Sequence, residues 1–293
     1  MQKRFRIDVL SHPSSWYFTT LNAAARKQNV DLRLKLFSDI QTNIEFGKRD
    51  SSIDTDAVIV RSMPLGSLEQ VIFRMDALRY CQNFGVGIFN SPSGLESAID
   101  KALTLIKFHN AGIPFPKTGV FQSAEGANSF FQNRSSDVVV KPIFGSEGRG
   151  LIRIAEPEIA QRVFTSLERT QSVIYCQEFV SNIVCDIRIL LIGEEHFAVE
   201  RRNSKSWISN AAMGGETFAY VASDDELRLA KAAAKAVEVE IAGVDLIRTS
   251  DNKLYVIEVN AVPGWKALNR TLNKSTEVDV AAKVIDFVRQ NSA

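Results

Sequence analysis

Cysteine, net charge and long apolar runs are all scarce in this sequence, and each scarcity excludes a class of protein. The three cysteines among 293 residues form no Cys-X-X-Cys pair, so neither a disulfide framework nor a thiolate metal site is predicted. Lys and Arg number 35 and Asp and Glu 34, for a net charge of +1. That balance argues against nucleic acid or an anionic membrane surface as a partner. No apolar run approaches the roughly 20 residues that span a bilayer.

The N-terminal segment, MQKRFRIDVLSH, is basic, but its apolar stretch is no longer than one strand. A signal peptide would need a longer apolar core and small residues at a cleavage site. The segment is therefore expected to form the first strand of the fold. Scattered thiols are typical of a reducing compartment, so a cytoplasmic location is expected.

The first third of the chain alternates short apolar runs with segments of helical spacing. The apolar runs are at 6–10, 32–37 and 57–61, and the helical segments at 14–28 and 67–82. This alternation predicts a small, mostly parallel α/β domain that ends near Ser91-Pro92.

The pattern changes after a long helix predicted over 94–110, which Gly112 and two prolines would close. Strands are predicted at close spacing beyond it, at 138–143, 150–154, 172–180, 187–192 and 196–200. Short turns between neighbouring strands favour an antiparallel sheet. Ser223 is the expected N-cap of a helix, and the last predicted elements are a helix at 224–239, strands at 242–247 and 254–260, and a helix at about 277–289. The whole is predicted to be a mixed α/β chain.

The first chemical signal is the segment VVVKPIFGSEGRG at 138–150, in which an apolar strand delivers Lys141 to a glycine-rich loop. Glycines let backbone N–H groups approach an anion closely, and a lysine supplies a positive charge for phosphate oxygens. The loop lacks the Gly-Lys-Ser/Thr ending of a Walker A motif. A plain hairpin turn with a surface lysine explains the segment equally well, and Lys101, early in a helix, is by default also a surface residue.

The second signal is a pair of acids, each inside an apolar strand near the C-terminus. Asp245 interrupts GVDLI, and Glu258 interrupts LYVIEVN, which puts Asn260 on the same strand face as Glu258. If the strands pair as a hairpin, the two carboxylates are neighbours and repel by about 4 kcal/mol at 4 Å and an effective dielectric near 20. Two carboxylates and an amide oxygen suit Mg²⁺. The alternative is that each acid pairs with a lysine or arginine on a solvated face.

With these motifs the sequence resembles the ATP-grasp superfamily, and within it the RimK-like α-L-glutamate ligases. The resemblance covers nearly the whole chain and is densest at 99–101, 138–150, 177–180, 185–188 and 243–264. It implies an α/β (α+β) ATP-grasp fold that begins with a small parallel α/β domain and continues with two α+β subdomains that enclose the nucleotide. The implied bounds are 1–95 for the N-terminal domain, 96–176 for subdomain A and 177–293 for subdomain B.

The resemblance implies a role for each matching residue, with ATP and two Mg²⁺ ions, or Mn²⁺ as a substitute, as cofactors. Phosphate contacts are implied for Lys101, Lys141 and the loop residues Gly145, Ser146 and Gly148. The rest of the nucleotide would contact Gln177, Glu178, Phe179, Asp186, Ser209 and Asn210. The implied metal ligands are Asp245, Glu258 and Asn260. The catalytic residues facing the carboxylate and its acyl phosphate would be Arg188 and Arg202.

Three further positions bear on these roles. Ile208 stands where the family often has an arginine before the Ser-Asn pair, a departure that weakens the phosphate contact implied there. Trp207 and Trp265 are each interpreted either as a core residue or as a flat platform for a ring-bearing acceptor such as a pterin.

The expected activity follows from these residues and from the resemblance together. A carboxylate needs a good leaving group before it can form an amide, and phosphoryl transfer depends mainly on positioning and charge neutralisation. No protein nucleophile is expected, because His12, His109 and His196 are too scattered for a triad. We expect an ATP-dependent carboxylate–amine ligase that works through an acyl phosphate.

The resemblance implies several acceptors. The first expectation is addition of L-glutamate, or a similar amino acid, to a small-molecule coenzyme such as a pterin or deazaflavin. The alternatives are a protein C-terminus or carrier protein as acceptor and, in another class, a catalytically silent ATP-binding regulatory module. Members of the family often assemble as dimers or tetramers, so a homodimer or homotetramer is a candidate assembly.

Overall fold

The computed structural model describes residues 4–46, 48–134, 136–145, 148–204, 206–207, 214–272 and 279–292; of residues 45, 48–50 and 134 it describes the backbone alone. The strands are β1 (Arg6–Leu10), β2 (Asp31–Lys35), β3 (Thr42–Glu45), β4 (Lys48–Ser51), β5 (Ala57–Val60), β6 (Gly87–Phe89), β7 (Thr118–Phe121), β8 (Val138–Lys141), β9 (Ile152–Ile154), β10 (Ile174–Glu178), β11 (Ile183–Ile192), β12 (Glu195–Arg202), β13 (Glu216–Ala219), β14 (Ile241–Thr249) and β15 (Leu254–Asn260).

The helices are α1 (Trp16–Lys27), α2 (Leu68–Asn83), α3 (Pro92–Ile99), α4 (Lys101–Asn110), α5 (Ala124–Arg134), α6 (Pro157–Arg169), α7 (Asp224–Ala236), α8 (Lys266–Leu272) and α9 (Val280–Gln290). None of those that the structure describes is both long enough and apolar enough to cross a bilayer. The predicted strands at 6–10 and 254–260 coincide with β1 and β15, and the other predicted elements differ from the structure mainly at their ends.

The N-terminal part contains a parallel sheet with the strand order β2-β1-β5-β6 and a separate antiparallel pair of short strands, β3 and β4. Its strand β5 reads AVIV and is buried along its whole length, as expected for a parallel sheet covered on both faces. The helix α1 packs against α9 from the far end of the chain. The predicted parallel α/β domain is therefore confirmed, whereas the domain boundaries at 95 and 176 stay predictions.

The prediction of one continuous helix over 94–110 is wrong, because the structure has two helices there, α3 and α4. Asp100 lies between them in an extended conformation, and its Oδ1 accepts hydrogen bonds from the N–H groups of Ala102 and Leu103 at 2.8 and 3.0 Å. An aspartate that caps free N–H groups stabilises a new helix start more than a continued helix. As a result, Lys101 is the first residue of α4.

The chain beyond residue 95 is antiparallel, as predicted, and it forms two larger sheets. The first of them, called the first sheet below, has the strand order β7-β10-β8-β9 and packs on α5 and α6 through Phe131 and Phe164. The other, called the second sheet below, has the order β13-β12-β11-β14-β15. One of its faces packs on α7, which begins after the predicted N-cap Ser223. The opposite face carries Asp186, Asp245 and Glu258, which line a cleft between the second sheet and the first sheet. This cleft contains the candidate site.

Candidate active site

A cavity of about 480 Å³ lies between the two antiparallel sheets. The predicted site residues that line it are Lys101, Lys141, Gly145, Gly148, Gln177, Glu178, Phe179, Asp186, Arg202, Asp245 and Glu258. Arg188 and Asn260 do not line it; Arg188 pairs with the lining residue Asp245, and Asn260 lies two residues beyond the lining residue Glu258 on β15. Ser146, Ser209 and Asn210 are outside the described residues. The structure thus brings most of the predicted residues to one cleft, and their roles stay predictions.

The two predicted lysines enter this cavity from the first sheet and from α4. Lys141 ends β8, and its Nζ donates to Gln177 Oε1 at 2.6 Å. Lys101 Nζ donates to the carbonyl oxygen of Gly145 at 2.8 Å, which ties the start of α4 to the glycine-rich loop. Gly148 in that loop has φ 76°, a conformation that favours glycine. Lys141 is therefore a cavity residue, and its interpretation as a snorkelling surface lysine is wrong.

The electrostatic state of Lys141 differs from that of an exposed lysine. Burial lowers the pKa of its ammonium group to about 8, and the nearby Lys101 adds to this effect. The carboxylates of Glu258 and Asp245 act in the opposite direction but do not offset burial. An anion bound beside this lysine would favour the charged form. Binding of an anion beside Lys141 would therefore be accompanied by proton uptake at a pH near 8.

The end of β10 forms one wall of the cavity. The N–H of Glu178 donates to Lys117 O at 2.8 Å, and the N–H of Phe179 donates to Asp137 O at 2.9 Å. Both N–H groups are thus used within the protein, so a nucleotide base would have to meet other polar atoms of this segment. The ring of Phe179 lies 3.6 Å from the Arg153 guanidinium carbon on one side.

Trp207 meets Phe179 edge to face at 5.7 Å between ring centroids. It is 41% exposed and lines the cavity, so it remains a candidate platform. Trp265 is 1% exposed and packs against Tyr17. The core interpretation of Trp265 is confirmed, and its interpretation as a platform is wrong.

A chain of largely buried ion pairs runs across the second sheet at the wall of the cavity. Arg188 Nη1 lies 2.5 Å from Asp245 Oδ1, and Arg201 Nη1 lies 3.1 Å from Asp245 Oδ2. Arg201 also contacts Asp186 Oδ1 through Nη2 at 2.6 Å and through Nε at 2.9 Å. Burial alone would raise the pKa of the Asp245 carboxyl, but the two guanidinium groups outweigh it and hold that pKa below its usual range. Asp245 is therefore a charged group inside the protein.

The sequence predicts a role for Arg202 but not for its neighbour Arg201, which the structure places in the network. Arg202 forms a bidentate pair with Glu200 at 2.8 and 2.6 Å, packs over the Phe218 ring, and has a side chain that is 61% exposed. Successive residues of a strand alternate between faces, and β12 continues through Arg202, two residues beyond the predicted strand end. Val199 is buried two positions before Arg201, and this alternation was the available signal.

The predicted neighbourhood of the two carboxylates is confirmed by the strand register. Asp245 of β14 lies opposite Glu258 of β15, while Leu246 lies opposite Val256. Ile257 is therefore an extra residue, a β-bulge. Without it Ile257 would face Asp245, and Glu258 would move to the core face of the sheet. The bulge keeps both acids on the cleft face.

The donor atoms here can be tested against the predicted metal site. The carboxylate of Glu258 forms no hydrogen bond or ion pair with any other residue that the structure describes, whereas Asp245 is held by two largely buried arginines rather than by surface cations. Asn260 Oδ1 accepts from the N–H of Val262 at 2.8 Å and keeps a second lone pair. No cluster of three His, Cys, Asp or Glu side chains suited to a metal occurs in the described part of the chain. Carboxylate and amide oxygens nevertheless fit Mg²⁺, which takes only one or two carboxylates and otherwise water or phosphate oxygens.

Comparison with known proteins agrees with this geometry. A family model described as the RimK-like ATP-grasp domain matches residues 98–288. A tetrahydromethanopterin:alpha-L-glutamate ligase of Methanococcus maripaludis is 32% identical over 291 residues, covering 96% of this chain and 97% of the relative. A probable alpha-L-glutamate ligase of Haemophilus influenzae is 32% identical over 218 residues, covering 73% and 72%. The chain belongs to the RimK-like ATP-grasp family, and the predictions of that family and of a ligase are confirmed.

Solved structures support the fold over almost the whole chain. The ATP-grasp ligase PsnB, in complex with a minimal precursor, has a TM-score of 0.76 at 16% identity and covers 98% of this chain and 99% of its own. A RimK domain protein from Sphaerobacter thermophilus has a TM-score of 0.73 at 17% identity, with coverage of 96% and 98%. The predicted ATP-grasp fold is confirmed.

Proposed function

We propose that this protein is an ATP- and Mg²⁺-dependent ligase that adds L-glutamate to a carboxylate of a small-molecule coenzyme, with pterins as the best supported class. The observation that carries the proposal is one cavity in which Lys101 and Lys141 approach from one side and Asp245 and Glu258 from the other. Similarity over nearly the full chain to a ligase named for tetrahydromethanopterin and glutamate supports the acceptor class.

The two sides of the cavity have complementary charges for a metal-bound triphosphate. The lysines would contact phosphate oxygens, while Glu258, Asp245 and Asn260 would hold Mg²⁺. The family resemblance implies two such ions, with Mn²⁺ as a substitute. The bound metal would neutralise phosphate charge and act as a Lewis acid. The Glu258 carboxylate forms no hydrogen bond or ion pair with a described residue, so a metal would engage it with the least rearrangement of the protein.

The proposed reaction has two steps. An oxygen of the acceptor carboxylate attacks the γ-phosphorus of ATP, the bond to the β-phosphate oxygen breaks, and ADP leaves. The amine of glutamate then attacks the acyl carbon, phosphate leaves with the electron pair of the broken C–O bond, and the amine loses a proton. Both steps place negative charge near the cleft face that bears Arg188 and Arg201. Fixed cationic donors on that face would stabilise the charge as it develops.

The glycine at position 243 favours an electrostatic role for Arg188 on the cleft face. It faces Asn260 on β15, and a Cβ at this position would clash with the Arg188 guanidinium group. The absence of a side chain at residue 243 therefore lets Arg188 lie flat across β14 and reach Asp245. Of the predicted catalytic arginines, Arg188 is buried in the network and Arg202 is at the exposed rim, so we assign Arg188 and Arg201 the main electrostatic role and Arg202 a contact at the entrance.

The direct test is product formation with a panel of acceptors. The full chain, ATP, Mg²⁺ and L-glutamate would be incubated with tetrahydromethanopterin, a deazaflavin coenzyme, or a peptide ending in glutamate. We expect ADP and phosphate to form in equal amounts with a glutamate adduct, seen by mass spectrometry, only when a coenzyme is present. An adduct of the peptide alone would instead support a protein acceptor. Tight ATP binding with no adduct would support the silent regulatory module.

A further inference from the structure

Asn90 is a buried amide that joins the N-terminal domain to both strands of the carboxylate pair. It follows β6 and is 2% exposed. Its Oδ1 accepts hydrogen bonds from the N–H groups of Glu240 and Ile241, both at 2.9 Å. Its Nδ2 donates to Ile241 O at 2.9 Å and to Ala261 O at 2.6 Å. All four hydrogen-bonding positions of the amide are therefore used on backbone groups of the second sheet.

The position of these bonds along the strands matters more than their number. Ile241 is the first residue of β14, which carries Asp245 four residues later. Ala261 directly follows Asn260, the last residue of β15, which also carries Glu258. One side chain thus holds the beginning of one acidic strand against the end of the other. A shift of either end would change how the oxygens of Glu258 and Asn260 face Asp245.

Arg61, also from the N-terminal domain, holds the next part of the same loop. Its Nη2 donates to Pro263 O at 2.8 Å, and its guanidinium carbon lies 4.1 Å from the Trp265 ring centroid and 4.6 Å from that of Tyr17. Arg61 is itself buried, at 8% exposure. The loop from Ala261 to Trp265 is therefore fixed at both ends by side chains that the ATP-grasp subdomains do not supply.

We propose that Asn90 is a positioning residue for the proposed metal site and that it acts with Arg61 by tying the loop after Asn260 to the N-terminal domain. The inference rests on the proposed function, since it presupposes that these oxygens bind Mg²⁺. Groups that orient metal ligands from outside the coordination sphere typically change metal affinity by about 10- to 100-fold when removed. A residue that merely joined two domains would change stability without a specific effect on metal.

The test compares ADP binding with and without MgCl₂ by titration calorimetry, in the wild-type protein and in Asn90→Ala. We expect the affinity for ADP without metal to stay within about twofold, and the gain in affinity on adding Mg²⁺ to fall by about 10-fold. The matched control is Gln28→Ala. Gln28 is also an amide that crosses from the N-terminal domain to the C-terminal part, where its Nε2 donates to Ala282 O at 3.1 Å on α9.

The outcomes separate the inference from the function on which it rests. An unchanged Mg²⁺ gain in Asn90→Ala, or an equal loss in Gln28→Ala, would overturn the positioning role alone. If the wild-type protein shows no Mg²⁺ gain, the proposed function fails and the inference falls with it. Should Asn90→Ala not fold, Arg61→Met takes its place, because methionine cannot donate the hydrogen bond to Pro263 O. It is expected to reduce the Mg²⁺ gain by about fivefold, the effect of one hydrogen bond, and an unchanged gain would again refute the proposal.

Discussion

Lys141 allows the sharpest prediction from the geometry, because its pKa lies close to the pH of an ordinary assay. Burial lowers that pKa to about 8 in the free protein. A phosphate group beside the ammonium group would restore the charged form. At pH 8 about half of the lysine is unprotonated, so nucleotide binding should take up about 0.5 proton per site. At pH 6.5 the unprotonated fraction is only about 3%, and the uptake due to Lys141 should nearly vanish.

The assay is titration calorimetry with ADP, without divalent metal, in two buffers that differ in ionisation enthalpy. The difference between the apparent binding enthalpies gives the number of protons taken up. Lys141→Arg is the control, since arginine stays charged at every pH used. We expect the variant to lack the uptake at pH 8 while still binding ADP. Equal uptake in both proteins would refute the proposed contact between Lys141 and phosphate.

The same pKa determines how Lys141 affects stability. The folded-state pKa of about 8 is lower than the ordinary value of 10.5, so between these values the unfolded chain binds more protons than the folded one. The contribution of Lys141 to the free energy of unfolding therefore rises with pH across this window. In Lys141→Met this rise should be absent, as measured by urea unfolding at pH 7.5 and pH 10.

Three further predictions concern the second sheet. Glu258→Gln should lower the rate of ADP formation by about 100-fold or more, because the metal loses a negatively charged ligand. The melting temperature should not change, and a wild-type rate would exclude the metal role. Arg201→Ala should lower the free energy of unfolding by about 3 kcal/mol, because Asp186 and Asp245 each lose a largely buried guanidinium partner. Arg202→Ala should leave it almost unchanged in urea unfolding; equal losses would contradict the assigned faces of β12. Gly243→Ala should displace Arg188 and lower kcat with little effect on ADP binding, and an unaltered kcat would show that the flat position of Arg188 is dispensable.

Much of the fold could be predicted because local pattern and tertiary structure agree. The parallel first domain follows from alternating strand and helix segments, and the antiparallel sheets follow from strands at close spacing. The division of the helix at Asp100 was missed, since a polar residue there also fits the exposed face of a continuous helix. Only the observed hydrogen bonds to Ala102 and Leu103 identify this aspartate as a cap.

The carboxylate pair was predicted from spacing, but its register depends on the bulge at Ile257, which no pattern in the strand indicates. Arg201 and Arg202 are identical in chemistry and adjacent in sequence. The alternation with buried Val199 separates them only because β12 extends beyond the predicted strand end at residue 200. Asn90 in the segment NSPS looks like a turn residue. Its role emerges from bonds to residues 150 to 171 positions away, a separation that local sequence does not encode.

The central claim is that ATP activates a carboxylate by phosphorylating it, and an oxygen isotope tests this most directly. The coenzyme acceptor that supports turnover would carry oxygen-18 in its carboxylate, and the phosphate released with ADP would be analysed by mass spectrometry. One labelled oxygen in each phosphate is the predicted result, because the C–O bond to that oxygen breaks when the glutamate amine attacks. Unlabelled phosphate, or release of AMP and pyrophosphate, would contradict the account.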